Sequence, residues 1–153
     1  MDVVLSKFVE RVKDLIEERE ANGKTVAEIA VEAKQNISDL YHWKSQNNLY
    51  LPSLISAVRL ADYFECTLAY LFGDETEYSP FAPSKDLPNF SKRLKEVIAE
   101  QKMPIMRLAK EAGFANTSVI YGWLNGKSVP RVESLFALAR VFGRTPDYII
   151  GRE

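Results

Sequence analysis

The chain has 153 residues, of which 46% are hydrophobic and 27% charged, and its formal net charge is −1. This balance is typical of a folded globular protein and excludes a disordered chain. With one cysteine and one histidine, the sequence excludes an internal disulfide framework and a cysteine-rich zinc site, and we predict no metal and no cofactor. No apolar run approaches the roughly 20 residues that span a bilayer, so we expect a reduced, cytoplasmic protein that does not bind membranes.

The two halves of the chain differ in charge. Residues 1–80 carry 8 Lys/Arg and 14 Asp/Glu, a net charge of −6. Residues 81–153 carry 12 Lys/Arg and 7 Asp/Glu, a net charge of +5. The basic half is therefore the half expected to meet a polyanion. The same asymmetry is compatible with two halves that simply attract one another.

The first segment has the periodicity of amphipathic helices. Apolar residues at positions 8, 12, 15 and 16 predict a first helix that ends near Asn22. Thr25 is a predicted N-cap for a short second helix over Val26–Ala33, with Glu28 completing a capping box. A sustained period-2 alternation is missing, so strands are not expected.

Three more helices are predicted before residue 74. Asn36 is a cap or turn residue ahead of a third helix over Ser38–Gln46. Pro52 is predicted to open a fourth helix and Thr67 to cap a short fifth. Residues 74–87 follow as a linker, because closely spaced prolines remove backbone donors and stop a helix.

After the linker, the pattern of the first segment recurs. Phe8 and Arg11 correspond to Phe90 and Arg93, and the run from Ser38 to Trp43 corresponds to the run from Ser118 to Trp123. Pro104, Pro130 and Thr145 then mark the second, fourth and fifth helices of the second copy, and Asn116 precedes its third helix, Thr117–Asn125. We therefore predict an all-α chain of two tandem five-helix domains, 1–73 (acidic) and 88–153 (basic), joined by a Pro-containing linker.

Two short helices joined by a tight turn and followed by a longer amphipathic helix are the sequence signature of a helix-turn-helix. The run Leu108 to Gly113, then Ile120 to Lys127, then Pro130 and Leu138-Ala139, resembles the lambda-repressor-like (Cro/repressor, XRE-type) family. The resemblance extends over both copies. It implies a sequence-specific double-stranded DNA-binding transcriptional regulator, repressor-like in type, which uses the third helix of a copy in the major groove.

The resemblance also implies the residues that would bind DNA. Base contacts fall at the start of the third helix, and phosphate contacts fall on the loop that follows it. In the second copy these DNA-binding residues are Asn116, Thr117, Ser118, Tyr121, Gly122, Asn125, Lys127, Ser128 and Arg131. In the first copy they are Ser38, Tyr41 and His42, together with Ile37. Trp43 and Trp123 are expected in the core, because each lies on the apolar face of its helix.

The first copy departs from the family pattern. It has Lys34 in place of the turn glycine, and it has Asp39 near the DNA-facing end, where an unpaired carboxylate close to phosphates is unfavourable. The turn of the second copy, Gly113 to Asn116, is one residue longer than the common form. Whether the first copy binds DNA therefore remains open.

A second hypothesis is a protein-interaction module. In it the acidic first copy forms a homodimer or docks a protein partner, as in an antitoxin or a phage accessory factor, and DNA binding is lost or secondary. An enzyme is the least favoured class, because the chain has no Gly-rich phosphate loop, nucleophile elbow or metal-ligand cluster. We therefore predict that the protein is not an enzyme.

Overall fold

A computed structural model of the protein describes residues 3–47, 49–73 and 89–153. In these ranges all regular structure is helical, which confirms the predicted all-α class. The chain divides into two compact units, Met1–Phe81 and Ala82–Glu153. We call residues 3–47 and 49–73 the N-terminal unit and residues 89–153 the C-terminal unit. The predicted linker, 74–87, lies outside the described residues.

The N-terminal unit consists of α1 (Val3–Ala21), α2 (Val26–Glu32), α3 (Ile37–Ser45), α4 (Leu54–Tyr63) and α5 (Leu68–Leu71). Helix α1 packs against α2, α3 and α5, and α4 packs against α5. At the centre, the Phe8 ring stacks on Phe72 at 4.8 Å and meets Trp43 edge-on at 5.2 Å. Trp43 is fully buried, as its position on the apolar face of α3 predicts.

The C-terminal unit has the same number of helices in the described residues. They are α6 (Phe90–Gln101), α7 (Ile105–Ala112), α8 (Ser118–Leu124), α9 (Val132–Phe142) and α10 (Pro146–Ile149). Helix α6 packs against α8 and α10, and α9 packs against α7 and α10. Trp123 is buried, as predicted. A buried ion pair, in which Arg152 Nη1 lies 2.5 Å from Asp147 Oδ1, ties the end of the chain to α10.

Several predicted helix starts are confirmed. The Thr25 hydroxyl accepts from the Glu28 amide and the Glu28 carboxylate accepts from the Thr25 amide, so the capping box forms. Asn36 caps α3 through the Ser38 amide. Thr67 and Thr145 cap α5 and α10. Each cap satisfies an amide that has no partner within its own helix.

The start of the fourth helix was predicted wrongly in both units. Pro52 and Pro130 do not open α4 and α9, which begin two residues later, at Leu54 and Val132. In α4 the reason is Ser53, whose hydroxyl accepts from the Ser56 amide and so sets the start of the helix after the proline.

The two units share an unusual set of backbone conformations. Every described residue with positive φ has a counterpart in the other unit at the corresponding point between helices. The pairs are Gly23 and Lys102, Lys34 and Gly113, Gln46 and Gly126, Glu65 and Gly143, and Gly73 and Gly151. Four pairs place a non-glycine residue in one unit where the other has glycine, although the left-handed region is unfavourable for a residue with a Cβ.

The hydrogen bonds that end the second helix are also the same in both units. The Gln35 amide donates to the Ala30 carbonyl at 2.8 Å, and the Phe114 amide donates to the Ala109 carbonyl at 2.9 Å. The residues before them, Lys34 and Gly113, have φ values of 55° and 84°. This is the hydrogen bonding of a Schellman motif. The chain therefore leaves α2 and α7 in the same way, with lysine accepted at the position where glycine is favoured.

An arginine on the first helix of each unit lies over a tyrosine on the last. The Arg11 guanidinium is 3.8 Å from the centroid of the Tyr70 ring, and that of Arg93 is 4.7 Å from the Tyr148 ring. Arg93 also donates to the Tyr148 carbonyl at 2.7 Å. Cation–π contacts of this kind fasten the short closing helix to the rest of each unit.

Candidate nucleic-acid interface

The segment α7–turn–α8 places one short helix at the surface of the C-terminal unit. Gly113 ends α7 and Phe114 turns inward, where its ring meets Trp123 edge-on at 5.5 Å. The Asn116 side chain then accepts from the Ser118 amide at 2.9 Å and so satisfies a free donor at the start of α8. The longer turn predicted for this copy is therefore anchored at both of its ends.

Helix α8 has one buried face and one outward face. Ile120 and Trp123 are buried, whereas Ser118, Tyr121 and Asn125, the residue that ends α8, are exposed. Thr117 and Gly122, which were also predicted to contact bases, are half-buried at the edge of this face. We define the α8 outward face as Thr117, Ser118, Tyr121, Gly122 and Asn125. It carries hydroxyl and amide groups and no charge, which suits hydrogen bonding to base edges.

The loop after α8 supplies positive charge beside this face. Lys127, Ser128 and Arg131 are exposed, and within the described ranges neither Lys127 nor Arg131 forms an ion pair. The loop lies close to the helix, because a Cβ built on Gly122 would sit 3.4 Å from the Ser128 hydroxyl oxygen. Unpaired cations beside an uncharged polar face fit phosphate contacts beside base contacts.

The start of α7 is open to an anion. Its N-cap is Pro104, which makes no capping hydrogen bond through its side chain, and its first turn contains no acidic residue. The first amides of a helix lack partners within the helix and carry partial positive charge, so they favour a phosphate nearby. Arg107, in the same turn, is held by Glu111 at 3.0 Å.

The corresponding helix of the N-terminal unit is closed. The Thr25–Glu28 capping box occupies amides at the start of α2 and places a carboxylate in its first turn. Two cations near α2 and α3 are paired as well: Lys24 lies 2.7 Å from Glu32, and Lys44 lies 2.8 Å from Glu20. The hydrogen bond from Lys24 lowers the pKa of Glu32. The start of this helix pair is therefore less attractive to phosphate than that of α7.

The outward face of α3 nevertheless resembles that of α8. Ser38 is exposed, and the side chain of Tyr41 is 52% exposed, compared with 49% for Tyr121. His42 is half-buried, and its Nδ1 lies 3.1 Å from the Asn47 carbonyl oxygen. The three predicted contact residues of this copy thus lie together on one side of α3, although His42 is partly engaged with its own loop.

Asp39 has a hydrogen-bond partner that the sequence did not suggest. We expected an unpaired carboxylate near the DNA-facing end of α3, but the Tyr50 hydroxyl donates to Asp39 Oδ1. Burial and this hydrogen bond raise the pKa of Tyr50 to about 12. This hydrogen bond could not be predicted, because Tyr50 lies in the loop after α3 and no local pattern places its ring beside residue 39. The Asp39 carboxylate keeps its negative charge.

The structure adds two apolar residues that sequence reasoning missed. Val119 and Val129 are 40% and 41% exposed, and they lie in α8 and in the loop that follows it. An exposed valine can meet the methyl group of thymine in the major groove. Helical spacing could have predicted the exposure of Val119, because this residue does not lie on the buried face of α8 formed by Ile120 and Trp123.

In the described residues, no group of three or more His, Cys, Asp or Glu side chains could hold a metal ion. The described helices include none that is both long and apolar enough to cross a membrane.

Comparison with known proteins bears on the second half of the chain. A helix-turn-helix family model matches residues 94–149, from within α6 to the last residue of α10. The matched segment contains α7, the turn and α8. The predicted resemblance is therefore confirmed for the C-terminal copy, and the match indicates a DNA-binding regulator. No curated protein and no solved structure matches the chain.

All nine predicted DNA-binding residues of the second copy fall inside the matched segment. The predicted first copy, with Ser38, Tyr41 and His42, lies outside it. The roles of these individual residues remain predictions.

Proposed function

We propose that the protein is a sequence-specific transcriptional regulator of the repressor type, and that its C-terminal unit inserts α8 into the major groove of duplex DNA. The observation that carries the proposal is the uncharged α8 outward face with Lys127 and Arg131 unpaired beside it, inside a segment that matches the helix-turn-helix family. A groove about 12 Å wide admits one helix, and a face without carboxylates meets no repulsion from the phosphates. Binding is non-covalent, and catalysis has no part in it.

The open start of α7 supports the same orientation. In a bound helix-turn-helix, the first helix lies across the backbone while the second reads the groove. The free amides at Ile105 and Met106 would then face a phosphate. The resemblance implies that Asn125 and Ser128 contact phosphates, together with Lys127 and Arg131.

A second part of the proposal concerns residues 1–73, which we take to be a diverged copy of the same domain. Five matched positive-φ positions, the same exit from the second helix and the same arginine–tyrosine contact support it. These features do not follow from helical content alone, because unrelated helical units would end their helices in different ways.

The proposal is tested by binding of the full-length chain to mixed-sequence duplex DNA in a salt series. We expect affinity to fall steeply with salt, with a log–log slope of about −0.9 for each phosphate contact. Lys127→Ala and Arg131→Ala should each reduce the size of that slope by about 1.

The matched control is Lys13→Ala, which removes a partly exposed lysine of α1 that is already paired with Glu17. It should leave the slope unchanged. A folded protein that binds no duplex at low salt would refute DNA binding, and slopes that respond equally to all three variants would refute the assignment to the loop after α8.

A protein-interaction module is the second candidate, and exposed apolar side chains in the N-terminal unit favour it. Val31 is 80% exposed at the end of α2, and Ile37 is 40% exposed at the start of α3. A homodimer or a complex through these residues would bury them. Sedimentation of the free chain separates the two cases, since a monomer that binds DNA requires no such contact.

A further inference from the structure

We infer that the N-terminal unit is a second base-reading module, which recognises a half-site related to that of the C-terminal unit but contributes little of the phosphate binding. This rests on the proposed function, because it assigns a second reader to the same DNA-binding chain. It is carried by the outward face of α3, not by the charge of the unit.

The two outward faces share side chains that folding does not require. Asn36 and Asn116 accept from the Ser38 and Ser118 amides at 3.0 and 2.9 Å, so the two helices begin with the same turn. Three residues further on, both helices expose a tyrosine. Core packing accounts for the identity of Trp43 and Trp123, but a side chain about half in solvent is under no such constraint.

These two tyrosines differ from the other tyrosines of the described chain. Tyr50, Tyr63 and Tyr148 donate their hydroxyls to carboxylates, and Tyr70 lies beneath the Arg11 guanidinium. Within the described residues, neither Tyr41 nor Tyr121 has such a partner. A large aromatic side chain kept exposed, with its hydroxyl free, at the same position of two diverged helices indicates a common ligand for both faces.

The residues that make up the outward side of α3 carry no carboxylate. Its outward side consists of Ile37, Ser38, Tyr41, His42 and Ser45. The one carboxylate of the helix, on Asp39, keeps its charge, but it is half-buried and accepts a hydrogen bond from Tyr50 in the loop after α3. The outward side itself is uncharged, like the α8 outward face.

The surroundings of α3 differ from those of α8 in the groups that would hold phosphates. The positions that correspond to Lys127 and Arg131 are Asn47 and Ser53, which are neutral. The start of α2 is closed by its capping box, whereas the start of α7 is open. Because counterion release supplies most of the salt-dependent affinity, the C-terminal unit anchors the chain and the N-terminal unit adds discrimination.

The half-sites should be related without being identical. Serine and tyrosine occupy the same positions in both faces, but Ile37 replaces Thr117 and His42 replaces Gly122. An apolar side chain favours contact with a thymine methyl group, whereas a hydroxyl can hydrogen-bond to several bases. We therefore expect shared base preferences opposite the serine and tyrosine, and different ones at the flanking positions.

The test is selection from a random duplex library with the full-length protein, followed by sequencing of the enriched duplexes. The expected result is two related elements at a fixed spacing. Tyr41→Ala should erase the preference in one element and weaken binding to the selected duplex by about tenfold, while leaving the salt slope unchanged. Tyr121→Ala should erase the preference in the other element.

Val31→Ala is the matched control, since it removes an exposed apolar side chain from the same unit outside the α3 face. Circular dichroism checks that each variant is folded. A single enriched element that Tyr41→Ala leaves intact would overturn the inference while the proposed function stands. Failure to bind any duplex at low salt would overturn both.

Discussion

Among single residues, those that hold a left-handed backbone conformation give the clearest test of the repeat. Glu65 has φ of 56° and its counterpart Gly143 has φ of 64°. The next amide donates in the same way in both units, from Cys66 to Ala61 at 2.9 Å and from Arg144 to Ala139 at 3.0 Å. Glutamate is strained in this conformation, whereas glycine is not, although glycine loses more entropy on folding.

Exchange of these two residues should therefore have opposite effects. We expect Glu65→Gly to raise the unfolding free energy of the N-terminal unit by about 0.5–1 kcal/mol and Gly143→Glu to lower that of the C-terminal unit by about 1 kcal/mol. Space is not the reason, because a Cβ on Gly143 would have no atom within 4 Å.

Urea unfolding followed by tryptophan fluorescence measures both effects. A Trp123→Phe background leaves Trp43 as the reporter of the N-terminal unit, and Trp43→Phe leaves Trp123 for the C-terminal unit. A fall in stability for Glu65→Gly would show that position 65 does not have the conformation of a helix-ending glycine.

Tyr50 gives a residue-level prediction about pH. Its pKa is raised to about 12, first by burial and then by the hydrogen bond to Asp39, so the folded state retains this proton longer than the unfolded state. The contribution of Tyr50 to stability is therefore fully present below pH 10 and is lost as the pH rises from 10 to 12.

The check is the unfolding free energy of the wild type and of Tyr50→Phe between pH 8 and pH 11. The wild type should lose stability more steeply above pH 10 than the variant does. Tyrosine absorbance in alkaline solution gives a second readout, since one late-titrating group should be lost in Tyr50→Phe. Parallel pH profiles would mean that the pKa of Tyr50 is not raised in the folded state.

At the level of helices, local sequence was enough wherever a neighbouring side chain sets the helix end. Thr25, Asn36 and Thr145 each cap the helix that follows by accepting from an amide two or three residues further on, so their roles could be predicted from spacing. Pro52 and Pro130 gave wrong helix starts, because proline also fits the extended backbone just before a helix. In α4 the start is set by Ser53.

Contacts between helices and loops could not be predicted in this way. The hydrogen bond from Tyr50 to Asp39 joins a loop to a helix 11 residues earlier, and the Trp43 indole donates to the Tyr50 carbonyl at 2.9 Å to hold that loop in place. Such contacts depend on how the chain folds back. The candidate site shows the same limit: its residues could be named from the resemblance, but not their exposure or their ion pairs.

On the scale of the whole chain, charge and surface chemistry separate the two units by role. The C-terminal unit combines a neutral outward helix face with unpaired cations and an open helix start, within the segment that matches the helix-turn-helix family. The N-terminal unit retains an uncharged outward helix face, but its helix start is capped and two nearby cations, Lys24 and Lys44, are paired. Under the proposed function, the C-terminal unit anchors the chain and reads the duplex, whereas the N-terminal unit reads without anchoring.

The most direct measurement for the central claim, that α8 enters the major groove, is dimethyl sulfate footprinting of the full-length protein on a selected duplex. This reagent methylates guanine N7 in the major groove and adenine N3 in the minor groove. We predict protection of guanine N7 that is lost in one element with Tyr121→Ala. Protection of adenine N3 alone, or unaltered guanine N7 reactivity at saturating protein, would contradict the proposed orientation.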